Sequence, residues 1–78
     1  MAEGEKTMTD LLHDAGEMLY GPRWQRDLAR ALGTSERQMR RYVAGEAAPP
    51  ADIGPRLRAL IDARMTILAE IRGRLPAA

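Results

Sequence analysis

The sequence has no cysteine and only one histidine among its 78 residues. The first absence excludes a disulfide staple and any thiolate-bound metal. The second leaves no pair of imidazoles to share an ion. No stretch approaches the roughly 20 apolar residues that a membrane span requires, and residues 1 to 6 are charged where a signal peptide would carry an apolar run. A cytoplasmic location with no membrane partner is the expectation. A glycine-rich loop of the nucleotide- or dinucleotide-binding kind is also missing. His13 has Asp14 beside it, but adjacent positions on a helix do not face one another. No enzyme activity, cofactor or metal is therefore expected. No segment argues for a strand, and there is neither an internal repeat nor a low-complexity tract. A chain this short holds one domain and buries only about 60% of its unfolded surface, so helix packing or self-association must stabilise it.

The net charge of +1 hides an uneven distribution. Residues 1 to 21 carry one lysine against five acids. Residues 22 to 45 carry six arginines, Arg23, Arg26, Arg30, Arg37, Arg40 and Arg41, against Asp27 and Glu36. A basic block of this kind attracts polyanions at long range, and such attraction supplies most non-specific nucleic-acid affinity. A solvated helix face has the same composition.

Apolar spacing divides the chain into helices. Met8, Leu11, Leu12, Ala15, Met18 and Leu19 recur at helical intervals, with Thr7 or Thr9 available as the cap and Gly21-Pro22 as the stop. A second helix is expected to open at Pro22, with Trp24, Leu28 and Leu32 on its inner stripe and Gly33 closing it. Trp24 is assigned to the core rather than to a ligand because that stripe continues it. Ser35 and Gln38 have capping-box spacing, so a third helix follows. Met39, Tyr42 and Val43 face inward, while Arg37, Arg40, Arg41 and Ala44 face away. After the loop from Glu46 to Pro50, Asp52 is the expected cap of a last helix, with a possible break near Pro55. Leu57, Ile61, Met65, Leu68, Ile71 and Leu75 form its long apolar seam, which Arg64 interrupts with a charge expected to reach outward. The expected fold is a small all-α domain of four to five helices. Residues 1–6 form a flexible N-terminus, 7–50 a helix-turn-helix core, and 51–78 a C-terminal helix.

The run QRDLARALGTSERQMRRYVAG, from Gln25 to Gly45, resembles without a gap the helix-turn-helix of the phage repressor and Cro-like (Xre-type) DNA-binding family. The shared pattern is a glutamine opening the first helix, Leu28-Ala29, Leu32 before the turn glycine, a small polar cap and a buried aliphatic residue. Each has a physical basis: Ala29 is small where the helices cross, Gly33 accepts positive φ, and Leu28, Leu32 and Met39 lock the crossing angle. Trp24 and Tyr42 depart from the family pattern, and the family usually has five helices.

The resemblance implies that the helix after Ser35 enters the major groove. Arg37 and Arg40 are then the base-reading residues, since arginine offers a two-pronged donor to guanine. Glu36 could accept from cytosine, or could aim Arg40 through an i,i+4 ion pair, which is the favoured role. Gln25 resembles the family residue that meets a phosphate at a helix start. Arg23, Arg26, Arg30 and Arg41 are candidates for backbone neutralisation. Gln38 is divided between closing the cap and touching DNA.

From Asp52 to Leu75 a helix would extend about 35 Å, more than a three-helix core covers. Ile61, Met65, Leu68, Ile71 and Leu75 are therefore the expected homodimer interface, with a frayed end after Arg72 as the alternative. The expected function is a dimeric, sequence-specific regulator of transcription on an inverted-repeat operator in double-stranded DNA, acting as an autorepressor in a phage-type or mobile-element operon. Two rivals stand beside it: a helical module that binds an acidic protein, and an excisionase-like factor that bends DNA.

Overall fold

The computed structural model describes residues 6–77, so most of the expected flexible N-terminus lies outside the described residues. Within them the chain forms four helices and no strand. These are α1 (Met8–Tyr20), α2 (Trp24–Ala31), α3 (Glu36–Val43) and α4 (Ile53–Arg74). The expected all-α class, with a long C-terminal helix, is the one observed.

Local hydrogen bonding explains where each helix begins and ends. Thr7 caps α1: its Oγ1 accepts the Asp10 amide at 3.1 Å, and the Asp10 carboxylate accepts the Thr7 amide at 3.3 Å. Thr9, the other candidate cap, serves the tertiary structure instead, donating its hydroxyl to the Tyr42 carbonyl at 3.2 Å. The second helix starts two residues later than expected. Pro22 and Arg23 form a turn, Arg23 has a non-helical ψ of 51°, and Trp24 is the first helical residue. This turn swings the indole inward over Gly16 in α1.

The connection between α2 and α3 is tightly determined. Gly33 adopts φ 77°, the Thr34 amide returns to the Ala29 carbonyl at 2.9 Å, and the Gly33 amide returns to Arg30 at 3.2 Å. This is a Schellman closure. Ser35 then caps α3, its Oγ accepting the Gln38 amide at 3.1 Å. The reciprocal half of the expected capping box does not form. The Gln38 side chain instead accepts from Arg41 Nη1 at 3.1 Å.

Leu12, Trp24, Leu28, Ala29, Leu32, Met39, Tyr42, Ile53 and Leu57 make one buried core drawn from all four helices. No charged residue enters it. The apolar face expected on α1 is divided. Leu12 and Gly16 go into the core, Met8 and Ala15 flank it, and Leu11 and Met18 remain outside. His13 lies at the margin, its ring centre 5.4 Å from that of Trp24 and the two planes nearly perpendicular, at 81°.

The last helix, α4, runs without a break, because Pro55 stands in its first turn, where a missing N–H leaves no bond unmade. Asp52 does not cap it with its side chain but pairs with Arg56 at 3.0 Å. Arg56 also donates to the Leu32 carbonyl at 3.0 Å, which ties α4 to the turn after α2. Arg64 corrects another expectation: it turns back to α1, donating to Tyr20 Oη at 2.9 Å with its guanidinium 5.4 Å from the ring centre. Met8 lies against Gly54 and Tyr20 against Arg64, so α1 and α4 run in the same direction. Past Arg64, α4 leaves the bundle. The radius of gyration, 14.4 Å, exceeds the roughly 11–12 Å of a compact domain this long.

Candidate nucleic-acid interface

The sequence of α3 separates an inner from an outer surface. Met39 and Tyr42 are buried and Val43 is partly so, whereas Arg37, Arg40, Arg41 and Ala44 are all exposed. The 3.6-residue period requires this division once Met39 is committed to the core. Three guanidinium groups therefore project from a helix of only eight residues.

Two local contacts orient them. Arg40 Nη2 meets Glu36 Oε2 at 2.7 Å, one turn away on the same face. That is the i,i+4 pair expected from their spacing, and it takes one of the five guanidinium donors. Arg41 is held on another flank by Gln38. Arg23, Arg26, Arg30 and Arg37 make no ion pair among the described residues.

A cleft of about 460 Å³ opens where α2 meets the first turn of α3. It is lined by Arg23, Gln25, Arg26, Asp27, Arg30, Glu36 and Arg40. Six of the nine residues singled out from the sequence thus share one surface, with four arginines against two carboxylates. Arg37, Gln38 and Arg41 lie outside the cleft. Asp27 was not anticipated as part of it, although its position one turn from Arg23 and Arg30 was visible in the sequence.

The α2 end of the cleft has a second source of positive potential. The N-cap, Arg23, makes no side-chain cap hydrogen bond, and Asp27 is the acidic residue of the first turn, so the first amides of α2 carry a partial positive charge that Asp27 offsets only in part. Among the described residues, no group of three or more His, Cys, Asp or Glu is placed to hold a metal ion. Among the described residues, no helix is long and apolar enough to cross a membrane.

The residues expected at the dimer interface fall into two classes. Ile61 packs partly against the core. Met65, Leu68, Ile71 and Leu75 are between 50% and 63% exposed, as is the unanticipated Ile67. The part of the seam left bare is the part that runs beyond the bundle.

Comparison with protein-family models, curated proteins and solved structures found no match for this chain.

Proposed function

We propose that this chain is a cytoplasmic, sequence-specific binder of double-stranded DNA that regulates transcription. It acts as a homodimer and represses the operon that encodes it, in a phage or mobile-element setting. The observation that carries the reading is the set of arginines around the α2–α3 corner that find no carboxylate partner. Such a set repels itself in the free protein, and a polyanion relieves that repulsion. In this reading α3 lies in the major groove. Arg37 and Arg40 meet base edges there, and Glu36 aims Arg40. Gln25 and the open start of α2 meet a phosphate, and Arg23, Arg26, Arg30 and Arg41 neutralise the backbone on either side.

The test is a gel-shift series on the DNA upstream of the gene, repeated from about 50 to 200 mM salt. The regulator is expected to shift this DNA selectively, with log affinity falling linearly in log salt by about 0.9 per phosphate contacted. Absence of a shift on any duplex, with retention on an acidic protein, would replace DNA with a protein partner. Strong bending with little sequence preference would make the protein an architectural factor instead.

A further inference from the structure

Two features of α4 lie outside the arginine surface described above. On one face, an open groove of about 830 Å³ runs against α1, lined by apolar Met8, Leu11, Ala15, Leu57 and Ile61. On the opposite face, by helical period, Arg56 reaches the turn between α2 and α3.

The guanidinium of Arg56 is engaged on both sides. Its Nη1 donates to the Leu32 carbonyl at 3.0 Å, and its Nη2 meets Asp52 Oδ2 at 3.0 Å. Leu32 is the C-cap of α2, where free carbonyls and the negative end of the helix favour a cation. A Cβ on the adjoining Gly33 would lie 3.4 Å from Nη1, so the guanidinium packs directly on the turn. Arginine suits this position because its planar fork serves two acceptors in one fixed geometry, whereas a lysine ammonium is a point charge with no plane. Helix α3 starts at Glu36, immediately after this turn. In its last turn the Tyr42 carbonyl accepts the hydroxyl of Thr9, from α1, at 3.2 Å. Among the described residues, these are the two hydrogen bonds from a side chain to the backbone of another helix or its cap. One falls just before α3 and the other near its end. A helix of eight residues is too short to be stable alone, so tertiary contacts decide where it lies.

We propose that Arg56 and Thr9 are positioning residues that brace α3 at the angle from which Arg37 and Arg40 read bases, with neither residue touching DNA. This rests on the DNA-binding reading above and needs no dimer. Base edges are met only by side chains held within about 0.5 Å and 10–20° of the productive geometry. Attraction to phosphates is long-ranged and tolerates looser placement. Loosening the brace therefore erodes sequence preference and spares non-specific binding. The Asp52 carboxylate neutralises Arg56, which sets it apart from the unpaired arginines offered to the DNA backbone.

The test compares single variants of the full-length protein on the upstream DNA and on a random duplex, across the same salt series. Arg56→Lys keeps the charge and loses the fork, Asp52→Asn releases one side of the fork, and Thr9→Val removes the hydroxyl at nearly constant shape. Arg56 and Asp52 are exposed, so their replacement leaves the apolar core intact. Each variant is expected to bind the upstream DNA about tenfold more weakly, the order lost with one base contact, while random-duplex affinity stays within about twofold and the salt slope is unchanged. Combining Asp52→Asn with Arg56→Lys should cost no more than Arg56→Lys alone, because both act on one contact. Tighter binding of both duplexes by Asp52→Asn would make Arg56 a phosphate contact, freed by the change, and would overturn the brace. Undiminished preference for the upstream DNA in Arg56→Lys and Thr9→Val would do the same. Equal losses on both duplexes, with a lowered unfolding midpoint, would reduce the two residues to general stabilisers of the fold and also overturn it. A wild-type protein with no preference for the upstream DNA would strike the regulatory reading itself, whereas a preference that every variant keeps strikes the brace alone.

Discussion

Gly16 lies beneath the Trp24 indole so closely that a Cβ would fall 2.2 Å from Trp24 Cε3. Gly16→Ala gains about 1 kcal/mol of helix propensity but forces a rigid ring from its site, and overpacking of this kind costs about 1–3 kcal/mol or more. Net destabilisation is expected, and a urea titration measures it. The glycine was visible in the sequence, yet its necessity was not, because the partner ring lies across a turn whose path the sequence left open. Arg40 and Arg41 are neighbours with different surroundings, one tied to Glu36 and the other to Gln38. Arg40→Ala is expected to cost about 1–3 kcal/mol and relax preference at one base pair. Arg41→Ala should weaken all duplexes alike and flatten the salt slope. Competition gel shifts over a set of single-base operator variants separate these outcomes.

Each helix start tests a local rule. Ser35 accepts the Gln38 amide while Gln38 gives nothing back. Ser35→Ala is therefore expected to cost about 1 kcal/mol, and Gln38→Ala to cost less than about 0.5 kcal/mol. Equal losses in thermal unfolding would show a reciprocal cap in solution. At the other end of the domain, Lys6 Nζ meets Asp14 Oδ2 at 2.6 Å. This hydrogen bond holds the Asp14 carboxyl below its ordinary value and the Lys6 ammonium above its own. The contact stabilises the fold between those ordinary values. It weakens in acid as pH falls through the lowered Asp14 value and in base as pH rises through the raised Lys6 value. A carboxyl NMR titration should show the Asp14 midpoint rise toward the ordinary value in Lys6→Ala. The helices were legible because apolar period and caps are local, and Thr7, Ser35 and Gly33 all sit where they were expected. Pro22 and Asp52 misled for a shared reason. Each suits the start of a helix in isolation, but burial of Trp24 and pairing with Arg56 decided the outcome.

Across the molecule, the bundle and the projecting half of α4 have different fates. The core is complete with Leu57 and Ile61, so Leu68→Asp is expected to leave the fold intact, with an unchanged circular-dichroism spectrum. The variant should sediment as a monomer and bind operator poorly, since one recognition helix loses its partner about 34 Å away. Undiminished dimerisation would place the contact elsewhere. The excess length of α4 was legible from its seam alone. The groove beside it was not. Its lining joins residues some 50 positions apart, and the face expected to bury all of α1 was divided between core and groove.

Composition, spacing and charge were enough to specify an all-helical chain, an arginine-bearing third helix and a last helix too long for its bundle, because each depends on interactions within a few residues. The three-dimensional packing decided what distance along the chain conceals. It seated Trp24 on Gly16 and turned Arg64 to Tyr20. It also gathered Arg23, Arg26, Arg30 and Arg40 into one cleft and opened a slot between α1 and α4. Those outcomes follow from which helix faces meet, and the period of a single helix carries no information about its neighbour.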